Sequence, residues 1–233
     1  MEQFIRTEMI IGKKNLEILQ NKCVMIFGCG GVGGFVVETL ARCGVGKLIL
    51  IDNDTVSLSN LNRQIIATHS TIGKLKTKVL ESRIHDINPN AKVITYETFV
   101  LYDAIDNINF EGVDFIIDCI DTITGKLAII EKAKLLNIKI ISSMGTGNKL
   151  DPSLLKICDI SKTNTCPLAK VMRHELRKKD IKNVPVLFST EIPTSTYIDE
   201  QDGTKHMPAS MIFVPSVAGI MIARYVIFEL INN

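Results

Sequence analysis

The chain has 233 residues, of which 46% are hydrophobic and 22% charged, and its formal net charge at pH 7 is +2. These values are ordinary for a globular protein, and the near-neutral charge excludes a whole-molecule field that would attract nucleic acid or membranes. The length suits one large α/β domain.

The six cysteines form no CxxC pair, and most of them fall in apolar segments. Disulfide scaffolds are denser in cysteine and structural zinc sites need paired spacing. We therefore predict reduced cysteines that pack as small apolar side chains. The first residues lack the basic start and apolar run of a signal peptide, so we expect a cytoplasmic protein.

The first half of the chain alternates short apolar runs with helix-length segments. This rhythm predicts an α/β, Rossmann-like fold with a mostly parallel central sheet and helices on both faces. Apolar runs indicate buried parallel strands, and apolar residues three to four apart indicate helices. The predicted strands are 23–28, 48–51, 113–117 and 138–141, and the predicted helices are 35–43, 73–88 and 126–136.

After about residue 150 the rhythm changes, without a linker. We predict strands at 185–189 and 210–214, a polar loop at 190–208, and a proline turn and core helix in the rest of the apolar stretch that ends at residue 231. Pro215, Arg224 and Glu229 interrupt that stretch, which argues against stable membrane insertion but permits peripheral association.

The absence of a linker predicts one domain over 1–233. Its nucleotide-binding half would be 1–150. The C-terminal lobe, 151–233, would continue the sheet, face the substrate and form a dimer contact.

A glycine-rich turn, GCGGVGG at 28–34, directly follows the first predicted strand and opens a helix. Glycines there let the backbone approach a phosphate, whose charge a helix N-terminus favours. The alternative is a turn needed only for helix–strand packing. Asp52 ends the second strand, where an acidic side chain accepts ribose hydroxyls, although a cap or turn role is also open.

The next segment distinguishes a triphosphate from a dinucleotide. The run SNLNRQ at 59–64 precedes GKLK at 73–76, and Arg63 and Lys76 supply a planar fork and a point charge suited to phosphates. The glycine turn alone already serves a pyrophosphate. A solvated basic helix face remains the alternative. Asp121, just past a buried strand in the run DCIDT, suits Mg²⁺ better than Asp118 does.

These motifs together resemble the ubiquitin-activating-enzyme-like adenylyltransferases, the family of the ThiF, MoeB and HesA proteins. The resemblance implies that Asp52 binds the ribose of ATP, that Asn60, Arg63 and Lys76 contact its phosphates, and that Asp121 holds Mg²⁺. Arg6 matches an arginine that family members lend to the partner's ATP across a homodimer. The nucleotide-binding and catalytic residues expected on these grounds are Gly28, Gly30, Gly31, Gly33, Asp52, Asp54, Asn60, Arg63, Lys76, Asp121 and Arg6.

One branch of the family fits the second half too. The stretches 141–152, 159–163 and 213–219 are similar to the tRNA threonylcarbamoyladenosine dehydratases. That likeness implies adenylation of the threonyl carboxylate of a modified tRNA adenosine, followed by ring closure. The CxxC pairs of ThiF-like and MoeB-like proteins are absent.

A locally basic helix is expected near residues 170–183. Lys170, Arg173, Arg177 and Lys178 are candidate tRNA contacts, although a solvated helix face is an equal alternative. Cys166 falls where related enzymes place a nucleophilic cysteine, and the proposed cyclisation needs none. Three other functions stay open: activation of a ubiquitin-like sulfur carrier, an NAD oxidoreductase and a non-enzymatic nucleotide sensor.

Overall fold

A computed structural model describes residues 2–194 and 208–232. Seven strands form one sheet in the order β3-β2-β1-β4-β5-β7-β6. The strands are β1 (Cys23–Phe27), β2 (Lys47–Ile51), β3 (Lys92–Tyr96), β4 (Phe115–Asp118), β5 (Lys139–Ser143), β6 (Leu155–Asp159) and β7 (Pro185–Ser189). The helices are α1 (Ile5–Ile11), α2 (Lys13–Gln20), α3 (Gly33–Arg42), α4 (Lys76–Ile87), α5 (Tyr102–Ile105), α6 (Ile123–Leu135), α7 (Pro167–Lys178) and α8 (Phe213–Ile231).

All neighbouring strands are parallel except β6, which pairs antiparallel with β7 at the end of the sheet. The chain leaves β1 toward β2 and β3, and then returns to place β4 on the other side of β1. The order reverses between β1 and β4, and open α/β sheets bind ligands at such a switch point, beyond the carboxyl ends of the strands.

The apolar core lies on both faces of this sheet. Side chains of α2, α3, α4 and α8 cover one face, and those of α5, α6 and α7 cover the other. The predicted α/β class is therefore confirmed, as is a C-terminal lobe that continues the sheet, since β6 and β7 extend it beyond β5.

The prediction of a strand at 210–214 was wrong. Residues 208–212 form no strand, and α8 begins at Phe213. Pro215 is the third residue of this helix, in the first turn, where backbone N–H groups have no partner within the helix and a proline is tolerated. Most of the predicted loop at 190–208 lies outside the described residues, which end at 194 and resume at 208.

Helix α8 is long and apolar enough to cross a membrane by length and composition. Half of that stretch is buried inside the protein, where α8 packs chiefly on α3. A β-carbon on Gly219 would lie 2.5 Å from the carbonyl oxygen of Val32, so the two helices touch through this glycine. The helix therefore serves the core and braces the residues that lead into α3.

Candidate functional site

The carboxyl ends of β1, β2 and β4 meet at one edge of the sheet. Gly28 donates its amide to the carbonyl of Ile51 at 2.8 Å, and Cys119 donates to the carbonyl of Phe27 at 2.7 Å. The segments that follow the three strands are thereby drawn together. They contain the glycine turn, Asp52 and Asp121.

The glycines of the turn fall into two groups. Gly28 has a φ of 90°, and a β-carbon on it would lie 2.9 Å from the carbonyl carbon of Cys119. A β-carbon on Gly33 would lie 1.8 Å from the carbonyl oxygen of Gly28. Packing alone requires glycine at these two positions, which is the alternative interpretation of the turn given above.

Gly30 and Gly31 are different, because nothing in the protein crowds them. A β-carbon on Gly30 would have its nearest neighbour at 3.7 Å, and one on Gly31 at 3.4 Å, both ordinary contact distances. These two glycines stand before the N-terminus of α3 and are partly exposed, with side chains of Gln64, Arg63 and Pro215 at contact distance. Backbone without side chains at a helix N-terminus suits the close approach of a phosphate.

Asp52 is fixed by two backbone amides. One carboxylate oxygen accepts from Cys29 at 2.7 Å and the other from Asp54 at 2.8 Å. The first bond joins the end of β2 to the glycine turn, and the second forms a local turn. Each oxygen has a second lone pair, so the carboxylate retains acceptor capacity for ribose hydroxyls.

Lys76 is a buried cation at the first position of α4. The residue is only 6% exposed, and its Nζ donates to Oδ2 of Asp54 at 2.7 Å. A solvated helix face is therefore excluded for Lys76. The side chain of Asp54 is 59% exposed, so the ion pair borders solvent on the side of the site. A second anion can approach the ammonium from that side.

The loop that contains Asn60, Arg63 and Gln64 covers the glycine turn. Oδ1 of Asn60 accepts the amide of Ser57 at 3.1 Å, which folds the loop, and the stem of Arg63 lies 3.7 Å from the β-carbon position of Gly31. The Nη1 atom of Arg63 donates to the carbonyl of Ser59 at 2.9 Å. The same atom donates to Oδ1 of Asn62 at 2.9 Å, so the loop itself holds the guanidinium group while its stem lies against the turn.

Gln64 is a polar residue of this loop to which the sequence analysis gave no role. It is buried, its Nε2 lies 3.7 Å from the β-carbon position of Gly30, and its Oε1 has no hydrogen-bond partner within the protein. Buried polar atoms are nearly always satisfied, so an orphan here indicates a polar ligand or water.

The two aspartates after β4 have different surroundings. Asp118 is fully buried and pairs with Lys126 at 3.0 Å, whereas Asp121 is exposed at the tip of loop 119–122. Only Asp121 is open to a ligand. Lys126 was missed in the sequence because it lies in α6 with two further lysines, and a lysine in a helix ordinarily occupies a solvated position.

A divalent cation fits this arrangement only with help from a nucleotide. Within residues 2–194 and 208–232, no three His, Cys, Asp or Glu side chains cluster as a metal site would require. Mg²⁺ accepts one or two carboxylates and takes its other ligands from phosphate oxygens and water. Asp121 is the carboxylate that would serve it.

The cysteines near the site are poor nucleophiles. Burial, reinforced by Asp52, raises the pKa of Cys29 well above its usual value. Burial, reinforced by Asp118, does the same for the pKa of Cys119. Cys166 is buried at the start of α7, with its sulfur 4.0 Å from the β-carbon position of Gly145. All six cysteines are free thiols, as the sequence predicted.

Helix α7 holds the four basic residues proposed for tRNA, and they are not equivalent. Lys170, His174, Arg177 and Lys178 share one exposed face, which we call the basic face. Arg173 instead donates from Nη1 to the carbonyl of Thr163 at 2.8 Å and to its hydroxyl. Arg173 therefore holds the segment that precedes α7 in place, whereas the basic face is open to solvent.

Arg6 lies far from the site of its own chain. It is exposed in α1, next to Phe4, whose ring lies 3.6 Å from the β-carbon position of Gly44. Gly44 precedes β2 and Asp52 follows it, so this region lies at the amino ends of the strands, opposite the carboxyl ends where Asp52 stands. The five residues of β2 separate the two edges by about 15 Å at the usual rise per residue.

The chain is similar in sequence to proteins of a known family. A family model described as "ThiF family" matches residues 4–230. The chain is 41% identical to a tRNA threonylcarbamoyladenosine dehydratase of Bacillus subtilis, over 100% of this chain and 96% of that protein. It is 33% identical to the Escherichia coli protein of the same name, over 87% of this chain and 78% of that protein.

A solved structure extends the likeness to three dimensions. The crystal structure of the E. coli dehydratase TcdA in complex with ATP superposes with a TM-score of 0.90 at 29% identity, covering 99% of this chain and 94% of that one. E. coli MccB in complex with ATP gives a TM-score of 0.68 at 19% identity, which shows a shared fold alone. The family model and the relatives span both halves of the sheet, and the chain belongs to the ThiF family.

Proposed function

We propose that the chain is an ATP-dependent tRNA threonylcarbamoyladenosine dehydratase, which adenylates the threonyl carboxylate and cyclises it on tRNA. The observation that carries this proposal is the 41% identity to a protein of that name over the full length of both chains. The site described above supports it, because it offers an acceptor for ribose, open backbone for phosphates and a buried cation.

ATP would lie across the carboxyl ends of β1, β2 and β4. Asp52 would accept the ribose hydroxyls, and the open backbone at Gly30 and Gly31 would receive the phosphates at the N-terminus of α3. Lys76 and Arg63 supply positive charge on the other side. Asn60 acts through the loop that it folds, and Asp54 holds the ammonium of Lys76 in place.

Mg²⁺ bound by Asp121 would neutralise part of the triphosphate charge. Asp121 is suited to this because it is exposed and stands on a loop fixed against the glycine turn: the backbone of Cys119 lies 2.9 Å from the β-carbon position of Gly28. The carboxylate would reach the phosphates from this loop.

The reaction needs little acid–base chemistry. An oxygen of the threonyl carboxylate attacks the α-phosphorus of ATP, and the bond to pyrophosphate breaks. Lys76 and Arg63 stabilise the charge that develops on the leaving pyrophosphate. A nitrogen or oxygen of the same threonylcarbamoyl group then attacks the acyl carbon, loses its proton and releases AMP. The net change in the nucleoside is the loss of one water, and the intramolecular step gains a large effective molarity.

A homodimer would complete the site. Arg6 cannot serve its own chain from the opposite edge of the sheet, but it can serve a partner. Two large apolar side chains on the same helix are unusually exposed, Met9 at 79% and Ile10 at 85%. Exposed apolar patches mark contact surfaces, and a twofold interface here would place Arg6 at the partner's ATP.

The division of the chain follows from this arrangement. Residues 1–150 supply the nucleotide site, and residues 151–233 supply the basic face and part of the dimer contact. The six free thiols suit a reducing compartment, and we place the protein in the cytoplasm.

The basic face would hold the tRNA backbone, and its salt dependence tests this. Changing Lys170 and Arg177 together to Gln should weaken tRNA binding and flatten the slope of log affinity against log salt by one to two units, at roughly 0.7–0.9 per phosphate contact. ATP binding should not change. The matched control changes Lys13 and Lys92, two exposed lysines of other surfaces. If the slope of log affinity against log salt flattens equally in both double variants, the basic face is a solvated surface that makes no particular contact with tRNA.

Turnover with tRNA separates this function from activation of a sulfur carrier. AMP should be released with tRNA that contains threonylcarbamoyladenosine and not with an unmodified transcript. The variant Cys166→Ser should keep most of this rate, because a buried thiol takes no part in direct ring closure. A loss of 100-fold or more, about 2.7 kcal/mol, with normal folding and ATP affinity, would instead favour the carrier function.

A further inference from the structure

A fully buried ion pair lies directly behind loop 119–122. The side chains of Asp118, at the end of β4, and Lys126, in α6, are both 0% exposed, and their Oδ2 and Nζ atoms are 3.0 Å apart. No step derived above uses this pair. Burying two charges costs much of what their attraction returns, so the pair is weak evidence for stability as such.

The hydrogen bonds of the pair reach loop 119–122 and the end of β5. Nζ of Lys126 donates to the carbonyl of Ser143 at 2.7 Å, which ties α6 to the end of β5. Oδ1 of Asp118 accepts the amide of Ile120 at 3.2 Å, inside the loop. The hydroxyl of Ser142 donates to Oδ2 of Asp118 at 2.5 Å.

The same loop is packed tightly from two other sides. Gly28 closes it from the glycine turn, as described above. A β-carbon on Gly125 would lie 2.6 Å from Cδ1 of Ile120 and 2.8 Å from Oγ1 of Thr122. The Lys126 ammonium reaches this loop through Asp118, whose other oxygen accepts the Ile120 amide, and it joins that carboxylate to the end of β5 through Ser143.

We infer that Lys126 is a positioning residue for the reaction, whose buried ammonium fixes loop 119–122, and hence Asp121, relative to the ends of β4 and β5. This inference rests on the role proposed for Asp121 toward Mg²⁺ and ATP. A displacement of about 1 Å in such a group is enough to cost on the order of 100-fold in rate.

The decisive variant neutralises the pair without leaving a lone charge. Lys126→Met alone strands the Asp118 carboxylate and should lower the melting temperature strongly. The double variant Asp118→Asn with Lys126→Met should regain most of that loss, because the amide oxygen can still accept from Ile120 while the amide nitrogen donates to the hydroxyl oxygen of Ser142. Lys132→Met is the matched control, since it removes another paired lysine of α6 that bonds an exposed carboxylate, Asp106, at 2.8 Å.

Two readouts are compared in the double variant. In the metal-free, nucleotide-free protein, the amides of loop 119–122 should exchange with deuterium at least about tenfold faster, while those of β1 keep their protection. With modified tRNA and saturating ATP, kcat should fall by about 100-fold and half-maximal rate should need more Mg²⁺. The control should match the wild type in both readouts.

Other outcomes would overturn the inference. Wild-type loop exchange and kcat in the double variant would mean that the pair only packs the core. Equal deprotection of β1 and the loop would mean general destabilisation. If the double variant does not fold, Ser142→Ala serves in its place, and unchanged loop exchange in that variant would count against us. Absence of turnover in the wild type would defeat the proposed function instead, and the exchange result would still decide the role of Lys126.

Discussion

Replacing Lys76 with Met should lower the rate of adenylate formation by about 10³-fold, the effect typical of losing one preorganised charge at an oxyanion. Lys76 is held by Asp54 with its ammonium already desolvated, so it needs no reorganisation to meet charge on the leaving pyrophosphate. The measurement is ATP–pyrophosphate exchange in the presence of modified tRNA.

Folding should survive this change, because Asp54 is left beside solvent and not in the core. The control is Lys78→Met, two residues farther along α4, where the exposed ammonium bonds Glu81 at 3.1 Å. A loss of less than tenfold at Lys76, with the control unchanged, would remove Lys76 from the catalytic role.

The same variant tests whether the site is shared between subunits. Mixing Lys76→Met chains with Arg6→Ala chains should restore part of the activity, since each heterodimer contains one site in which both residues are intact. No recovery, with subunit exchange verified by native mass spectrometry, would argue that Arg6 serves no partner.

Replacing Gly33 with Ala should abolish ATP binding and lower the melting temperature. The new β-carbon would be placed 1.8 Å from the carbonyl oxygen of Gly28, and both groups belong to backbone that cannot rotate away. Overpacking of this kind forces the backbone to shift and typically costs about 1–3 kcal/mol of folding free energy. Here the shift would displace the start of α3 relative to β1. Calorimetry and an ATP titration measure the two effects.

Gly30→Ala is the informative companion to this change. Its β-carbon would be 3.7 Å from the nearest protein atom, so the free energy of unfolding should stay within about 1 kcal/mol of the wild type. ATP should nevertheless bind more weakly, because the methyl group occupies space left for a phosphate. If Gly30→Ala binds ATP as the wild type does, the glycines of this turn serve packing alone.

The sequence predicted the central strands and missed the edges. β1, β2 and β4 contain continuous apolar runs because helices bury them on both faces, and β5 was found through its isoleucines. β3 and β6 lie at the two ends of the sheet, and their half-exposed residues mix polar and apolar types without a clear run. Pro215 was misread as a turn because a proline in the first turn of a helix looks the same in sequence as one that breaks a strand.

The candidate site was predicted in its residue types more than in its contacts. Motif spacing placed Asp52 and Asp121 beyond strand ends, and the structure brings those ends together. Spacing could not reveal that Asp54 binds Lys76, that Arg173 is bonded to Thr163, or that Lys126 is buried. Each of these depends on a partner at least eight residues away in the chain, which no local pattern records.

The central claim is that this chain removes water from threonylcarbamoyladenosine on tRNA at the expense of ATP. The most direct measurement is mass spectrometry of the nucleosides of modified tRNA after incubation with the protein, ATP and Mg²⁺. We predict a nucleoside lighter by one water, formed with ATP and not with NAD, and absent with Lys76→Met. An unchanged nucleoside mass, from folded protein that binds ATP, would contradict the account.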